Sequence, residues 1–310
     1  MRIPLILTCS LFFSFFYANA QNEGIIVSEA VEQQIQKLSK LRTTAEKNDD
    51  LESFLTYYHE DAISMPEYQP TLTGIDEITA FYQQIFRQQD ISILQRTAEE
   101  VVRLDSTFVE IGVFSKEYTD LELDTTFVQN GKYWNVWGVR PDSSLVLKGE
   151  SYGFFHPVEH PEALTVELPA GKSSAETFYF TQHIPLELRA YNALNEKYVS
   201  LRSGELRSEF YTDDAKFMPF QEPTVSGIDE IKPYLIQYNQ GDVTIDSIAV
   251  YTYHYEATDD HILEYSKFRV KWTVPNFSGR TEGKGIRIWQ RQADHSLRMY
   301  RNIGTHNHLD

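Results

Sequence analysis

The chain contains one long segment twice. Tyr58–Phe81 recurs as Tyr211–Tyr234, 153 positions later and without a gap, and 12 of the 24 positions are identical. The identical positions form two motifs, Asp-Ala-x-x-Met-Pro and Gly-Ile-Asp-Glu-Ile, and a later match pairs Trp137 with Trp289. Solenoid repeats have periods of about 20 to 50 residues, so this much longer period indicates a complete domain copied in tandem.

The composition is that of two globular domains. A chain of 310 residues is long enough for two cores, and 41% hydrophobic residues with 19 Tyr and 19 Phe favour β-rich ones. The formal net charge of −17 repels phosphate backbones and anionic lipid surfaces. We therefore expect no nucleic-acid partner, and no membrane association once the N-terminal segment has been removed.

The first 20 residues are typical of a secretory signal peptide. One arginine precedes the apolar run 3–17, and Ala18 and Ala20 form a small-residue cleavage site ahead of Gln21. The run is too short to span a bilayer, and a buried N-terminal helix is the alternative. The one cysteine, Cys9, lies in this segment. We expect cleavage before Gln21 and a secreted or periplasmic product without a thiol.

The spacing of apolar residues changes along each copy from helical steps to alternation. In the first copy it predicts helices over 26–47, just after residue 50, and from a capping box at Thr73–Asp76 onward. Alternation then predicts strands at 91–102, 108–118, 126–139 and 145–155. The second copy repeats this order, with a helix over 186–201 and strands near 243–255, 261–274, 279–290 and 296–303.

This succession of helices, repeated motifs and four strands resembles the SnoaL-like, ketosteroid-isomerase-like branch of the nuclear transport factor 2 superfamily. The resemblance covers nearly the whole mature chain, twice. It implies an α+β fold of two tandem cone-shaped domains, each a strongly bent antiparallel sheet wrapped around helices. The predicted division is a signal peptide at 1–20, domain 1 at 21–160, a connector at 161–184 and domain 2 at 185–310. Single-domain relatives commonly dimerise through their sheets, so we expect the two domains to pair with each other.

The resemblance also implies a pocket in each cone. The general base of the steroid isomerases would fall at Met65 and Met218, and their oxyanion-stabilising acid near Asn135 and Arg287. Methionine has no proton to exchange, and neither Asn nor Arg is a carboxylic acid that stays protonated in an apolar pocket. We therefore expect no steroid-isomerase activity. The pocket residues implied by the resemblance are Tyr58, Met65, Asn135, Trp137, Tyr211, Met218, Arg287 and Trp289.

Glu67 and Glu222 are the remaining candidates for a catalytic base, because burial at a pocket mouth would raise the pKa of a carboxyl group. They do not occupy equivalent positions in the two copies, and charges on a surface loop are the alternative interpretation. By analogy, Glu222 is also a candidate ion-pair partner of Arg287. The sequence predicts no cofactor and no metal site.

Three functions remain open at this stage. The leading hypothesis is binding of a small, largely apolar ligand in one or both cones. The second is a SnoaL-like isomerase, cyclase or hydrolase acting on a polycyclic or aromatic substrate, and the third is a non-catalytic interaction scaffold. The floor of the pocket discriminates them: convergent polar groups with perturbed pKa values indicate an enzyme, an apolar floor indicates binding, and a filled core indicates a scaffold.

Overall fold

The structure is a computed structural model that describes residues 28–167 and 184–308. The predicted signal peptide and most of the predicted connector lie outside these ranges. Within them, no helix is both long and apolar enough to cross a membrane.

The two halves contain the same elements in the same order. Domain 1 consists of α1 (Glu29–Lys47), α2 (Leu51–Leu55), β1 (Tyr58–Pro66), β2 (Leu72–Thr73), α3 (Gly74–Gln88), β3 (Gln89–Leu104), β4 (Thr107–Asp120), β5 (Thr125–Val139), β6 (Leu145–Phe154) and a 3-10 turn (Pro161–Leu164). Domain 2 consists of α4 (Leu186–Ser200), α5 (Gly204–Ser208), β7 (Tyr211–Met218), β8 (Val225–Ser226), α6 (Ile228–Tyr238), β9 (Thr244–Ala257), β10 (His261–Val274), β11 (Phe277–Arg291) and β12 (Leu297–His306).

Each domain has one six-stranded sheet, which confirms the predicted α+β class. The strand order is β2-β1-β6-β5-β4-β3 in domain 1 and β8-β7-β12-β11-β10-β9 in domain 2. The predicted antiparallel arrangement is found for the four long strands of each sheet, which are neighbours joined by hairpins. The sheets are nevertheless mixed, because β1 runs parallel to β6 and β7 runs parallel to β12. In domain 1, β2, α3 and the three strands β3–β5 lie between β1 and its parallel neighbour along the chain.

The repeated Gly-Ile-Asp-Glu-Ile motif starts the third helix of each domain. Gly74 and Gly227 have φ angles of +78° and +79°, which a residue with a side chain rarely adopts. The predicted capping box forms differently from the expectation: the Glu77 carboxylate, rather than Asp76, accepts from the Thr73 backbone N–H at 2.8 Å. A glutamate four residues after the cap can reach back because the glycine turns the chain sharply before the helix begins.

The two sheets share one apolar core. It contains Met65, Ile111 and Trp134 of domain 1 together with Met218 and Ile288 of domain 2, all buried. Each domain also has its own core between its sheet and its helices, and these two cores contain Trp137 and Trp289, respectively. A helical face and a sheet face therefore enclose the interior of each cone, and the opposite sheet faces meet between the domains.

Candidate functional site

A buried glutamate stands at the same place in both cones. Glu110 on β4 is fully buried and accepts from the Trp137 indole N–H at 3.0 Å. Glu264 on β10 is equally buried and accepts from the Trp289 indole N–H at 2.7 Å. In both domains a residue of the long helix also donates to this carboxylate, Ser39 in domain 1 and Asn192 in domain 2. This pairing supports the core of each fold.

Domain 1 adds a buried ion pair between α1 and β6. The Arg42 guanidinium donates to the Glu150 carboxylate, and both side chains are at most 4% exposed. Three hydroxyl groups also donate to Glu150: Tyr58 at 2.7 Å, Ser64 at 2.6 Å and Tyr82 at 2.8 Å. Burial alone would raise the pKa of Glu150, but Arg42 and the three hydroxyl donors hold that pKa below its usual value. Glu150 is therefore ionised at neutral pH.

A second charged group lies beside the first. The Glu46 carboxylate on α1 accepts from the Arg96 guanidinium at 2.6 Å and lies 3.4 Å from the Lys116 amine. Lys116 also donates to the Gln89 side chain at 2.7 Å. Although burial raises the pKa of Glu46, the neighbouring cations lower it to about 2. Burial lowers the pKa of Lys116, with Glu46 acting in the opposite direction.

These charges surround a cavity inside the cone of domain 1. Its volume is about 50 Å³. An engineered cavity of about 150 Å³ admits benzene, so this one holds only a few water-sized groups. The polar wall includes Arg42, Glu46, Gln89, Arg96, Lys116, Gln129, Asn135 and Glu150, and the apolar wall includes Leu94, Phe114, Phe154 and Leu164.

Domain 2 lacks the charged groups. The helices correspond at a shift of 153 residues, and the strands correspond through their registers, in which Gly131 pairs with Phe114 and Gly283 with Phe268. Five charged residues of domain 1, Arg42, Glu46, Arg96, Lys116 and Glu150, correspond to Asn195, Val199, Val250, Val270 and Asn302. The charged cavity is thus a feature of the first copy alone.

Known proteins were compared with this chain at three levels. No family model matches it, and no curated protein matches it. Among solved structures, a ketosteroid isomerase-like protein from Erwinia carotovora atroseptica is similar over 42% of this chain and 100% of its own, with 15% identity and a TM-score of 0.39. An NTF2-like protein from Cytophaga hutchinsonii is similar over 41% of this chain and 98% of its own, with 19% identity and a TM-score of 0.35.

The order of helices and strands in both halves is the order that the repeated motifs imply. Each half of the chain has an NTF2-like fold. The bent sheet packed on its helices is observed twice, with the Asp-Ala-x-x-Met-Pro motif on β1 and on β7. The fold alone does not assign a reaction, so the function has to be argued from the side chains.

The structure places the residues of the implied pocket in three different environments. Asn135 lines the cavity of the first NTF2-like domain, where Arg42 donates to its side-chain oxygen at 3.2 Å. Met65 and Met218 lie in the core shared by the domains. The others lie in the separate cores or beside them: Tyr58 and Trp137 in domain 1, and Tyr211, Arg287 and Trp289 in domain 2. In each domain, therefore, the methionine lies apart from the other three residues of the implied pocket.

The analogy that pairs Arg287 with Glu222 is wrong. Arg287 lies 3.4 Å from the Glu264 carboxylate and donates to Asn192 at 3.0 Å. Glu222 is exposed, and its backbone carbonyl accepts from the Lys132 amine of domain 1 at 2.8 Å. Arg287 occupies on β11 the position that Asn135 occupies on β5. The guanidinium beside Glu264 in domain 2 therefore comes from a strand, whereas the guanidinium beside Glu150 in domain 1 is that of Arg42 on helix α1.

Glu67 is not a surface residue, contrary to the alternative interpretation of its loop. It is 1% exposed, and one of its oxygens accepts from the Phe154 backbone N–H at 3.0 Å. The other oxygen has no hydrogen-bond partner. Burial raises the pKa of Glu67 to about 7, although Lys132 and Lys284 act to lower it. Glu67 does not line the cavity of domain 1.

The raised pKa of Glu67 predicts a pH effect on stability. Folding favours its protonated form, so this contribution is complete below about pH 4.5 and is lost as the pH rises through about 7. We expect Glu67→Gln to flatten the decline in the free energy of unfolding between these values, measured by urea denaturation at a series of pH values. The exposed Glu222→Gln variant is the control. An unchanged slope in Glu67→Gln would contradict the assignment.

The beginning of the predicted connector packs on the first domain. Leu164 is buried and lines the cavity, and Val166 is buried in the domain core. The side-chain amide of Gln69 holds Val166 by two bonds, accepting from its N–H at 2.7 Å and donating to its carbonyl at 3.2 Å. Residues 161–167 thus pack on domain 1 and contribute Leu164 to the cavity wall.

We expect Gln69→Leu to loosen this segment. Two lost hydrogen bonds are worth about 1–3 kcal/mol together, which corresponds to roughly ten- to hundredfold faster amide exchange over 161–167. Hydrogen-exchange mass spectrometry measures this directly. Glu222 occupies the equivalent position in domain 2, so Glu222→Leu is the matched control. Equal exchange in the wild type and in Gln69→Leu would show that other contacts hold the segment.

The charged residues around the cavity are not among those selected from the sequence. Arg42, Glu46, Arg96, Lys116 and Glu150 come from four different elements, and their partners lie tens of residues away. One signal was present: each charge interrupts the buried face of an otherwise ordinary helix or strand. Among the described residues, no group of three or more His, Cys, Asp or Glu is suited to hold a metal ion.

Proposed function

We propose that this protein binds a small molecule in the cone of its first NTF2-like domain, and that the second domain serves as its packing partner. The observation that carries the proposal is the charged cavity. Five charged side chains converge there, and all five are replaced by Asn or Val in the second copy. Buried charges are costly to maintain, so a cluster present in only one of two copies indicates a role beyond folding.

The pKa directions favour binding over proton abstraction. A general base that works near neutral pH needs a carboxyl pKa close to 7, whereas the pKa values of Glu46 and Glu150 are both lowered. The two tyrosines that donate to Glu150 have raised pKa values because they are buried. These groups are suited to hold fixed charges and hydrogen bonds around a ligand.

The character of the cavity revises the expected ligand. A largely apolar compound would leave Arg42, Arg96 and Lys116 without compensation for the water that it displaces. One wall is nevertheless aromatic and aliphatic, and the volume is about 50 Å³. We therefore propose a ligand of only a few heavy atoms with a polar group facing the charges. A polycyclic substrate would require a rearrangement of the wall.

A fragment screen tests this function. Small compounds of three to five heavy atoms, neutral, anionic and cationic, are presented to the protein, and binding is read by ligand-observed NMR. We expect at least one compound to bind and to be weakened in Arg96→Met. Arg103 lies on the same strand but is exposed, so Arg103→Met should bind as the wild type does. Binding by no compound, or equal loss in both variants, would refute the proposal.

We further propose that the protein is exported. The support is the signal-like sequence of residues 1–20, which lies outside the described residues. N-terminal sequencing of the protein from its native host should begin at Gln21. An intact Met1 end would contradict export by this route.

A further inference from the structure

We infer that the ligand of the first cone is a small monovalent anion of about four heavy atoms, with acetate as the simplest representative. This inference deepens the proposed binding function and rests on it. It follows from the charges of the cavity wall, from one unpartnered donor and from the volume, which are taken in turn.

The cavity wall itself holds more cations than carboxylates. Three cations, Arg42, Arg96 and Lys116, and two carboxylates, Glu46 and Glu150, line it. The third buried carboxylate of the cone, Glu110, is not part of the wall and lies behind Tyr133 and Asn135, which donate to it. A ligand in the cavity therefore lies closer to the cations than to Glu110, and the closer charges act on it more strongly.

One donor in the wall has no acceptor. The Nη atoms of Arg42 donate to Glu150, Tyr58 and Asn135, and the guanidinium lies 4.6 Å from the centre of the Phe54 ring. The remaining donor, the Nε of Arg42, is buried and has no hydrogen-bond partner. Arg42 is only 2% exposed, so bulk water does not solvate this group. A buried N–H without an acceptor costs about 1–3 kcal/mol, and a bound anion would supply one.

The volume limits the size of the anion. A water molecule needs about 10–15 Å³ of such a cavity, so 50 Å³ accommodates about three to five water-sized groups. Acetate has four heavy atoms and unites a carboxylate with a methyl group. The methyl group would face the apolar wall of Leu94, Phe114 and Leu164, while the carboxylate would face the cations.

The test compares three probes of four heavy atoms each in buffer free of carboxylates. Acetate, acetamide and acetamidinium are titrated into the full-length mature chain, and affinity is read from protein NMR shifts. We expect acetate to bind at least tenfold more tightly than acetamide and acetamidinium to show no binding. This comparison uses the wild-type protein, so it does not depend on the folding of a variant.

A charge-removing variant completes the test. Lys116→Met should weaken acetate binding by about tenfold, whereas Lys40→Met, which removes an exposed lysine of α1, should leave it unchanged. Equal binding of acetate and acetamide, or a preference for acetamidinium, would overturn the anion assignment while leaving the binding function intact. If none of the probes and none of the screened fragments binds, the proposed function itself fails.

Discussion

Replacing Arg42 with asparagine is expected to lower the free energy of unfolding by about 3–5 kcal/mol, because it leaves the Glu150 carboxylate buried without its cation. The three remaining hydroxyl donors do not neutralise the charge. Urea denaturation monitored by tryptophan fluorescence measures the loss. The size of the effect follows from burial, since a solvent-exposed pair of this kind contributes less than about 1 kcal/mol.

The second copy supplies the control for this prediction. Asn195 and Asn302 occupy the positions of Arg42 and Glu150, so the double variant Arg42→Asn, Glu150→Asn reproduces the pair found in domain 2. It should be more stable than Arg42→Asn by more than about 1 kcal/mol, because the unpaired buried charge has been removed. A double variant that is less stable than the single one would show that Glu150 does not need Arg42 for compensation.

Lys132→Met is expected to destabilise the pair of domains by about 3 kcal/mol, because three carbonyl groups, two of them in buried residues, lose a charged donor. The Lys132 amine donates to the carbonyls of Phe154 at 2.8 Å, Pro219 at 2.5 Å and Glu222 at 2.8 Å. Two of these acceptors belong to domain 2, so the substitution should weaken the interface between the domains. We expect calorimetry to resolve two unfolding transitions where the wild type shows one.

Lys148 provides a matched control for this variant. Its amine also crosses to the other domain, where it contacts Glu256, but its side chain is 34% exposed. An ion pair that water can screen contributes about 0–1 kcal/mol, so Lys148→Met should leave a single transition. If the two variants have similar effects, the loss of stability results from removing any positive charge at the interface, and the contacts of Lys132 with the three carbonyl groups do not explain it.

Lys284, the counterpart of Lys132, donates to the Gln69 carbonyl of domain 1, and its replacement by methionine should have the same effect as Lys132→Met.

The fold could be predicted from the sequence because its signals are local and occur twice. Apolar periodicity predicted the bounds of the helices and long strands to within a few residues. For example, β4 was predicted at 108–118 and spans Thr107–Asp120. The parallel pairing of β1 with β6 was missed. It joins residues about 90 positions apart, and no periodicity within either strand carries information on the direction of its neighbour.

The site could be predicted only in part, for a different physical reason. Asn135 was selected through its family position and does line the cavity, but the charges around it come from α1, β3, β4 and β6. A charged residue in an amphipathic pattern is usually solvated. The sequence therefore does not reveal that Glu46 and Lys116 are buried, because their burial results from the packing of the sheet on α1. Glu67 presents the same difficulty, because the two lysines that act on it, Lys132 and Lys284, lie far away in the sequence and one of them belongs to domain 2.

The central claim is that only the first NTF2-like domain holds a ligand site, and the four tryptophans of the chain provide one measurement of it. The Trp137 indole N–H donates to Glu110, which also accepts from the cavity residue Asn135, whereas the Trp289 indole N–H donates to Glu264 in the second cone. Indole ¹H–¹⁵N signals are followed during a titration with acetate. We predict a saturable shift of Trp137 and a constant Trp289 signal. An equal shift of Trp289, or no shift of Trp137 at saturation, would contradict the account.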